Sequence, residues 1–277
     1  MKQNRIKLKA SMLCFILFHI GFSQQYDSVV IDEENTDTNN EIYKTGTVFI
    51  YDYEITKDEK KYKLKSNKGM FATTEFELVP TQTEAIEVQK IHLIVRPVAD
   101  EDRTNEHQTE ISYFQEPAFA SISSTGAIEN DQNVWIHPIR RGFFNALETA
   151  PFPYIKKPIQ MNMEWTDQMK IGEGWGNAMW GTWKGQLLLN YTYKVMGQEI
   201  LQTPLGPINC FVIESSAQSE IGTTKLISYF SEKYGFVRME YQLVNALKVA
   251  LWLTDYKTDQ IFNDEMTFFK TKEYIKQ

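Results

Sequence analysis

The chain has 277 residues, a formal net charge of −7 and 42% apolar residues, a balance that fits a folded protein and excludes a disordered one. The acidic balance also excludes nucleic acid as a natural partner, because that binding is driven by Lys and Arg displacing counterions from phosphates. Two cysteines, Cys14 and Cys210, cannot make a disulfide framework.

Residues 1–23 differ in kind from the rest. Lys2, Arg5, Lys7 and Lys9 precede the apolar run MLCFILFHIGF, which ends at Gly21-Phe22-Ser23. This is the pattern of a secretory signal peptide, with cleavage expected between Ser23 and Gln24. The apolar run has about half the roughly 20 residues needed to span a bilayer, and no later segment approaches that length. Cys14 follows Leu13 inside the run, where a lipidation site needs a small residue, so lipid attachment is not expected there. Cleavage removes four basic and no acidic side chains, which takes the net charge from −7 to −11. The predicted destination is outside the cytoplasm, either periplasmic or extracellular, with outer-membrane association as an option. With Cys210 its only thiol, the mature chain draws its stability from a core, and about 250 residues suffice for a sizeable one.

Residues 24–42 are acidic and polar and are expected to form a flexible arm; residues 43–277 are expected to form a single β-rich domain. From Gly46 to Val98 the segments TVFIYDYEI, KKYKLKS, TEFELVPT and IEVQKIHLIVRPV are rich in β-branched and aromatic residues and read as strands. Residues 99–110 read as a solvated loop, and EISYFQEPAFASISSTG is expected to hold one strand.

The C-terminal half carries strict alternation. Trp183, Leu187, Leu189, Tyr191, Tyr193 and Val195 share one parity, while Lys184, Gln186, Asn190, Thr192 and Lys194 share the other, as in a half-buried strand. A tight turn is expected at Gly197-Gln198, followed by a returning strand to Thr203. Further strands are predicted at 208–219, 223–231, 236–242 and 247–256, with turns at 233–235 and at Asn245-Ala246. Short links between alternating strands imply an antiparallel meander, since parallel strands need long crossovers. One amphipathic helix is expected from Asn263 onward.

GEGWGNAMWGTWKG, 172–185, joins two of these strands. It lacks the Gly-Lys-Ser/Thr of a phosphate loop and the strand-turn-helix of a dinucleotide site. Trp175, Trp180 and Trp183 are therefore either a stacking platform for a ligand or a cap on the core, with the glycines permitting a bend. A second unusual stretch, 135–159, collects His137, Arg140, Arg141, Lys156 and Lys157. Such a patch either holds an anion or pairs with the chain's own carboxylates. Within it RGFFNALETA predicts a short helix, and the prolines of PFPYIKKP predict an extended loop.

Catalytic signals are weak. His107 and Glu110 form a lone His-x-x-Glu, and His92 lies among strand residues. No nucleophile elbow or Ser-x-x-Lys is present, and Cys210 on a predicted strand reads as a buried thiol. No catalytic residue, metal site or cofactor is predicted. Asn190-Tyr191-Thr192 matches a glycosylation acceptor, but it falls in mid-strand.

The segment YKVMGQEILQTPLGPINCFVIESSAQSEIGTTKLISYFSEKYGFVRMEY, Tyr193 to Tyr241, resembles the closing strands of a group of uncharacterised bacterial secreted proteins, in which Gly-x-Glu, a Pro-x-Gly corner and YFSEKYGFV recur in this order. PYIKKPIQMNMEW, 153–165, resembles that group's proline-bearing loop before a strand ending in Trp; Asn162 and Met163 stand where a glycine is usual. The group is similar in layout to the lipoprotein-carrier superfamily. The resemblance implies a mainly β fold: a strongly curved antiparallel sheet, an unclosed barrel around an apolar cavity, with one or two short helices.

The functional expectation is an exported, non-enzymatic envelope protein that binds a hydrophobic or amphipathic ligand, a lipid or acylated chain, in a sheet cleft. Trp175, Trp180 and Trp183 would line its mouth, with His137, Arg140 and Arg141 as headgroup contacts. The alternatives are a scaffold or docking subunit for another envelope protein and, further off, a polysaccharide hydrolase using carboxylates among Glu148, Glu164 and Glu173.

Overall fold

The computed structural model describes residues 40–65, 76–81, 89–98, 102–103, 106–116, 123–261 and 275–276. The protein is mainly β, as the alternation predicts. One antiparallel sheet is built from β1 (Val48–Lys57), β2 (Lys60–Leu64), β3 (Leu78–Pro80), β4 (Lys90–Pro97), β5 (Thr109–Glu116), β6 (Ser123–Glu129), β7 (Asn133–Ile136), β8 (Tyr154–Lys156), β9 (Glu164–Gly172), β10 (Gln186–Thr203), β11 (Gly206–Ser219), β12 (Gly222–Ser231), β13 (Gly235–Gln242) and β14 (Lys248–Lys257). The path across it runs β8-β7-β6-β5-β4-β1-β14-β13-β12-β11-β10-β9, with β2 and β3 as a flap off β1.

The first and last strands of that path, β8 and β9, are separated in sequence only by residues 157–163. The sheet must therefore curl until its two edges approach. They meet through side chains: Tyr154 on β8 lies edge-on to Trp165 on β9 at 5.6 Å, and Trp165 stacks on Tyr193 of β10 at 5.1 Å with the rings 2° from parallel. No ladder joins β8 to β9, so the barrel is unclosed. Asn162, in the link, has φ 63° and donates its backbone N–H to Val195 O at 3.0 Å. Asn tolerates this left-handed conformation better than most residues.

The inner face is apolar and filled. Leu187, Leu189, Tyr191, Tyr193 and Val195 point inward from β10 in the predicted parity, and Val249, Leu251 and Leu253 do so from β14. The predicted short helix is a 3-10 helix, Gly142–Thr149, lying inside the sheet as a plug. Phe143, Phe144, Ala146 and Leu147 on it are almost fully buried, and Phe144 meets Tyr53 edge-on at 5.6 Å. Each of the larger three contributes about 2 kcal/mol by burial. Thr224 on β12 donates its hydroxyl to Thr149 O at 2.7 Å, which fixes the plug's end to the wall.

Three expectations need correction. The chain does not turn at Gly197-Gln198: β10 runs on to Thr203, and a bulge at Val195/Gly197 absorbs the register change. The segment with one predicted strand contributes to two, β5 and β6, because β5 continues the meander from β4. Tyr154–Lys156 forms a strand, tolerated between prolines because it is a short edge. The helix expected from Asn263 falls outside the described residues except at Ile275–Lys276, which pair with Gln260–Ile261 as a two-stranded ribbon. The signal peptide and residues 24–39 also lie outside the described residues. The Asn245-Ala246 turn stands as predicted, with both residues at positive φ.

The chain enters the fold through a buried carboxylate. Glu129 on β6 accepts the backbone N–H groups of Ile42 at 2.9 Å and Tyr43 at 2.8 Å, with Glu129 only 1% exposed. Burial raises its pKa above the ordinary 4.5, and the two N–H groups act in the opposite direction. The native state then holds the proton at pH values where the unfolded chain has lost it. The stabilisation from this group is full below 4.5 and declines as pH rises through the raised value. The expected outcome is a urea midpoint that falls over this window in the wild type and a flatter profile in Glu129→Gln; identical profiles would remove Glu129 as the cause.

Candidate functional site

Two places in the fold bring polar chemistry together. The first is inside the barrel. Glu148, on the plug, is 0% exposed, and its Oε1 lies 3.5 Å from His137 Nδ1 and 3.4 Å from Arg140 Nε. Arg140 also contacts the His137 ring directly. A buried carboxylate is tolerated only with such partners, so the segment that supplies the plug also supplies its neutralising cation. Tyr113 donates its hydroxyl to His137 O at 2.7 Å, Phe152 packs against the His137 ring at 4.3 Å, and Trp175 covers the Arg140 guanidinium at 5.8 Å.

Of the six side chains singled out by sequence, His137, Arg140 and Trp175 therefore meet. Trp180 joins through its Nε1, which donates to Trp175 O at 2.9 Å, but its ring is 2% exposed and packs on Phe143 and Phe76. Trp183 is buried in the core, and Arg141 precedes the plug, its carbonyl accepting the Phe144 N–H at 3.0 Å. The Gly-Trp stretch connects β9 to β10 through a short 3-10 turn, Glu173–Trp175, and an Asn177–Gly181 bridge. These tryptophans cap the packed interior, and Arg140 is engaged by Glu148 and the Trp175 ring.

The carboxylates considered for hydrolysis are separated. Glu148 is inside, Glu164 is exposed on the outer edge of β9, and Glu173 accepts the Gly185 N–H at 2.8 Å. Among the described residues, no group of three His, Cys, Asp or Glu side chains is placed to hold a metal ion, and no helix is long and apolar enough to cross a membrane.

The second place is a groove of about 1000 Å³ on the outer face. Register aligns its walls into two rows of outward side chains crossing seven strands. The first row reads Glu164, Lys194, Glu214, Ile227, Glu240, Ala250, Glu54, from β9 through β14 to β1. The second reads Thr166, Thr192, Ser216, Lys225, Gln242, Lys248, Thr56. Inward-pointing neighbours such as Trp165, Tyr193 and Tyr241 border the groove through their backbone, as pleating requires. Six strand gaps make the rows about 29 Å long measured along the sheet. Ile227 and Ala250 are the apolar residues of the first row, one on either side of Glu240. Lys194 pairs with Glu164 at 2.7 Å, Lys61 with Glu54 at 2.9 Å, and Arg238 with Glu240. Sequence reasoning missed this site because its residues occupy the wet parity of each strand.

The sequence matches no established protein family, and no curated protein matches it. Among solved structures the chain is similar to a candidate lipoprotein of Parabacteroides distasonis, at 13% identity over 79% of this chain and 100% of that one, with a TM-score of 0.42. It is also similar to a candidate exported protein of Bacteroides fragilis with a YmcC-like fold, at 12% identity over 78% and 97% with a TM-score of 0.43. A third is the hypothetical lipoprotein YmcC of Escherichia coli, at 10% identity over 75% and 84% with a TM-score of 0.35. No family is assigned by these similarities.

Cys210 sits on β11 facing the core, and burial pushes its thiol pKa up to about 12. The thiol is therefore protonated at neutral pH and shielded. A disulfide reagent such as dithionitrobenzoate should leave the folded chain unmodified for hours and label one thiol per mature chain promptly in denaturant; rapid labelling of the folded chain would contradict this burial.

Proposed function

We propose that the protein is an exported, non-enzymatic component of the cell envelope that binds an amphipathic ligand, a lipid or acylated chain, in the outer groove. The signal-peptide pattern of residues 1–23 supports export. The observation that carries the binding reading is the composition of the groove: outward apolar residues, Ile227 and Ala250, within a row rich in carboxylates, beside a row bearing lysines. An apolar segment would cover Ile227 and Ala250, and a charged head would lie on the charged residues around them. The interior is a less suitable seat, since Phe143, Phe144, Leu147 and Phe152 already occupy the inner face.

A docking role draws on a different feature. Beyond Lys194 the strand β10 has no β9 partner, and from Glu199 to Thr203 it continues with β11 as a two-stranded ribbon. Beside that ribbon Met161, Met196 and Ile200 are 60%, 43% and 65% exposed.

Native mass spectrometry of the exported chain is expected to show a defined amphiphile adduct. Ile227→Asp should lower its occupancy at least tenfold with little change in stability, since Ile227 is only partly buried. Bare protein that takes up no added amphiphile and recovers one stoichiometric protein instead would transfer the reading to docking.

A further inference from the structure

The two rows of the groove differ in a way that specifies the ligand's head. Every residue of the second row, Thr166, Thr192, Ser216, Lys225, Gln242, Lys248 and Thr56, carries a hydrogen-bond donor, and none carries a carboxylate. Gln242 pairs with Lys225 on one side and with Lys248 on the other. The two ammonium-bearing positions thus flank one amide, about 10 Å apart across two strand gaps. The first row carries Glu214 directly opposite Ile227, and Glu240 opposite Ile227 on the other side. The rows are separated by two residues of strand rise, about 7 Å.

The charges that face this centre are incompletely used. Arg238 and Glu240 pair with each other, and Lys194 pairs with Glu164. Glu214, Lys225 and Lys248 have no side-chain hydrogen-bond or ion-pair partner among the described residues. Glu214 and Lys225 are diagonal neighbours on adjacent strands, yet they remain apart. A solvated sheet face tolerates such charges singly. Here two cations flanking an amide lie beside an unpaired carboxylate and Ile227, in one concavity.

Building on the amphiphile reading above, we infer that the groove recognises a zwitterionic head: an anionic group on Lys225, Gln242 and Lys248, and an ammonium on Glu214. A phosphate ester bearing an ammonium has this chemistry, whether carried on acyl chains or free. A purely anionic head satisfies the lysines but leaves Glu214 facing like charge, and a purely cationic head does the reverse.

The test is calorimetric titration of the exported chain with dihexanoyl phosphatidylethanolamine, dihexanoyl phosphatidylglycerol and glycerophosphoethanolamine. The ethanolamine amphiphile should bind at least tenfold more tightly than the glycerol one. Lys225→Gln and Lys248→Gln, both at exposed positions, should each weaken it about tenfold, and Glu214→Gln should erase the preference between the two heads. Equal binding of the two amphiphiles by the wild type would overturn the zwitterion assignment while leaving the groove as an amphiphile site. Glycerophosphoethanolamine binding as tightly as the acylated form would support the head assignment and make the occupant a soluble zwitterion. Binding of none of the three would overturn both readings.

Discussion

The constraint from which the rest follows is the short link between the two edges of the sheet. Residues 157–163 tie β8 to β9, so a path of twelve strands must return on itself within seven residues. The contact that makes the return stable is aromatic: Tyr154, Trp165 and Tyr193 pack at ring distances of 5.1 to 5.6 Å. Such pairs contribute about 0.5 to 1.5 kcal/mol each beyond their buried area. The curl that they hold encloses an apolar interior too wide for wall side chains alone, and the 142–149 segment fills it.

Filling the interior with main chain brings polar groups inside. The plug carries Glu148, and His137 and Arg140 lie just before it in sequence, so one segment delivers both the buried charge and its neutralisation. Trp175 and Trp180 then close that end, one over Arg140 and the other against Phe143. On the outer face, register sets the outward residues of seven neighbouring strands side by side, which is why the rows of the groove run perpendicular to the chain.

Much of the fold is legible in the sequence, because period-two alternation in β10, β12 and β14 is strong and the turns at 233–235 and 245–246 are marked by turn formers. The strand at Tyr154–Lys156 is not, since two flanking prolines hide it and only its place at the sheet edge allows it. At Gly197 the glycine permits a bulge as readily as a turn, and the choice is made by β11 pairing along the whole strand. The site is legible only in fragments. His137, Arg140 and Trp175 stand out by composition, and they do converge, but on Glu148 and the packed interior. Lys225, Gln242 and Lys248 lie on three successive strands and look like ordinary outward residues; register makes them neighbours.

The central claim is that the ligand occupies the outer groove of the sheet while the interior stays packed. Methyl-resolved NMR of the exported chain with a spin-labelled amphiphile tests it most directly. The account predicts broadening of the Ile227 methyl resonances and unchanged Leu187 and Leu189, which face inward on β10. Broadening of Leu187 and Leu189 with Ile227 unaffected would place the ligand inside the barrel and contradict it.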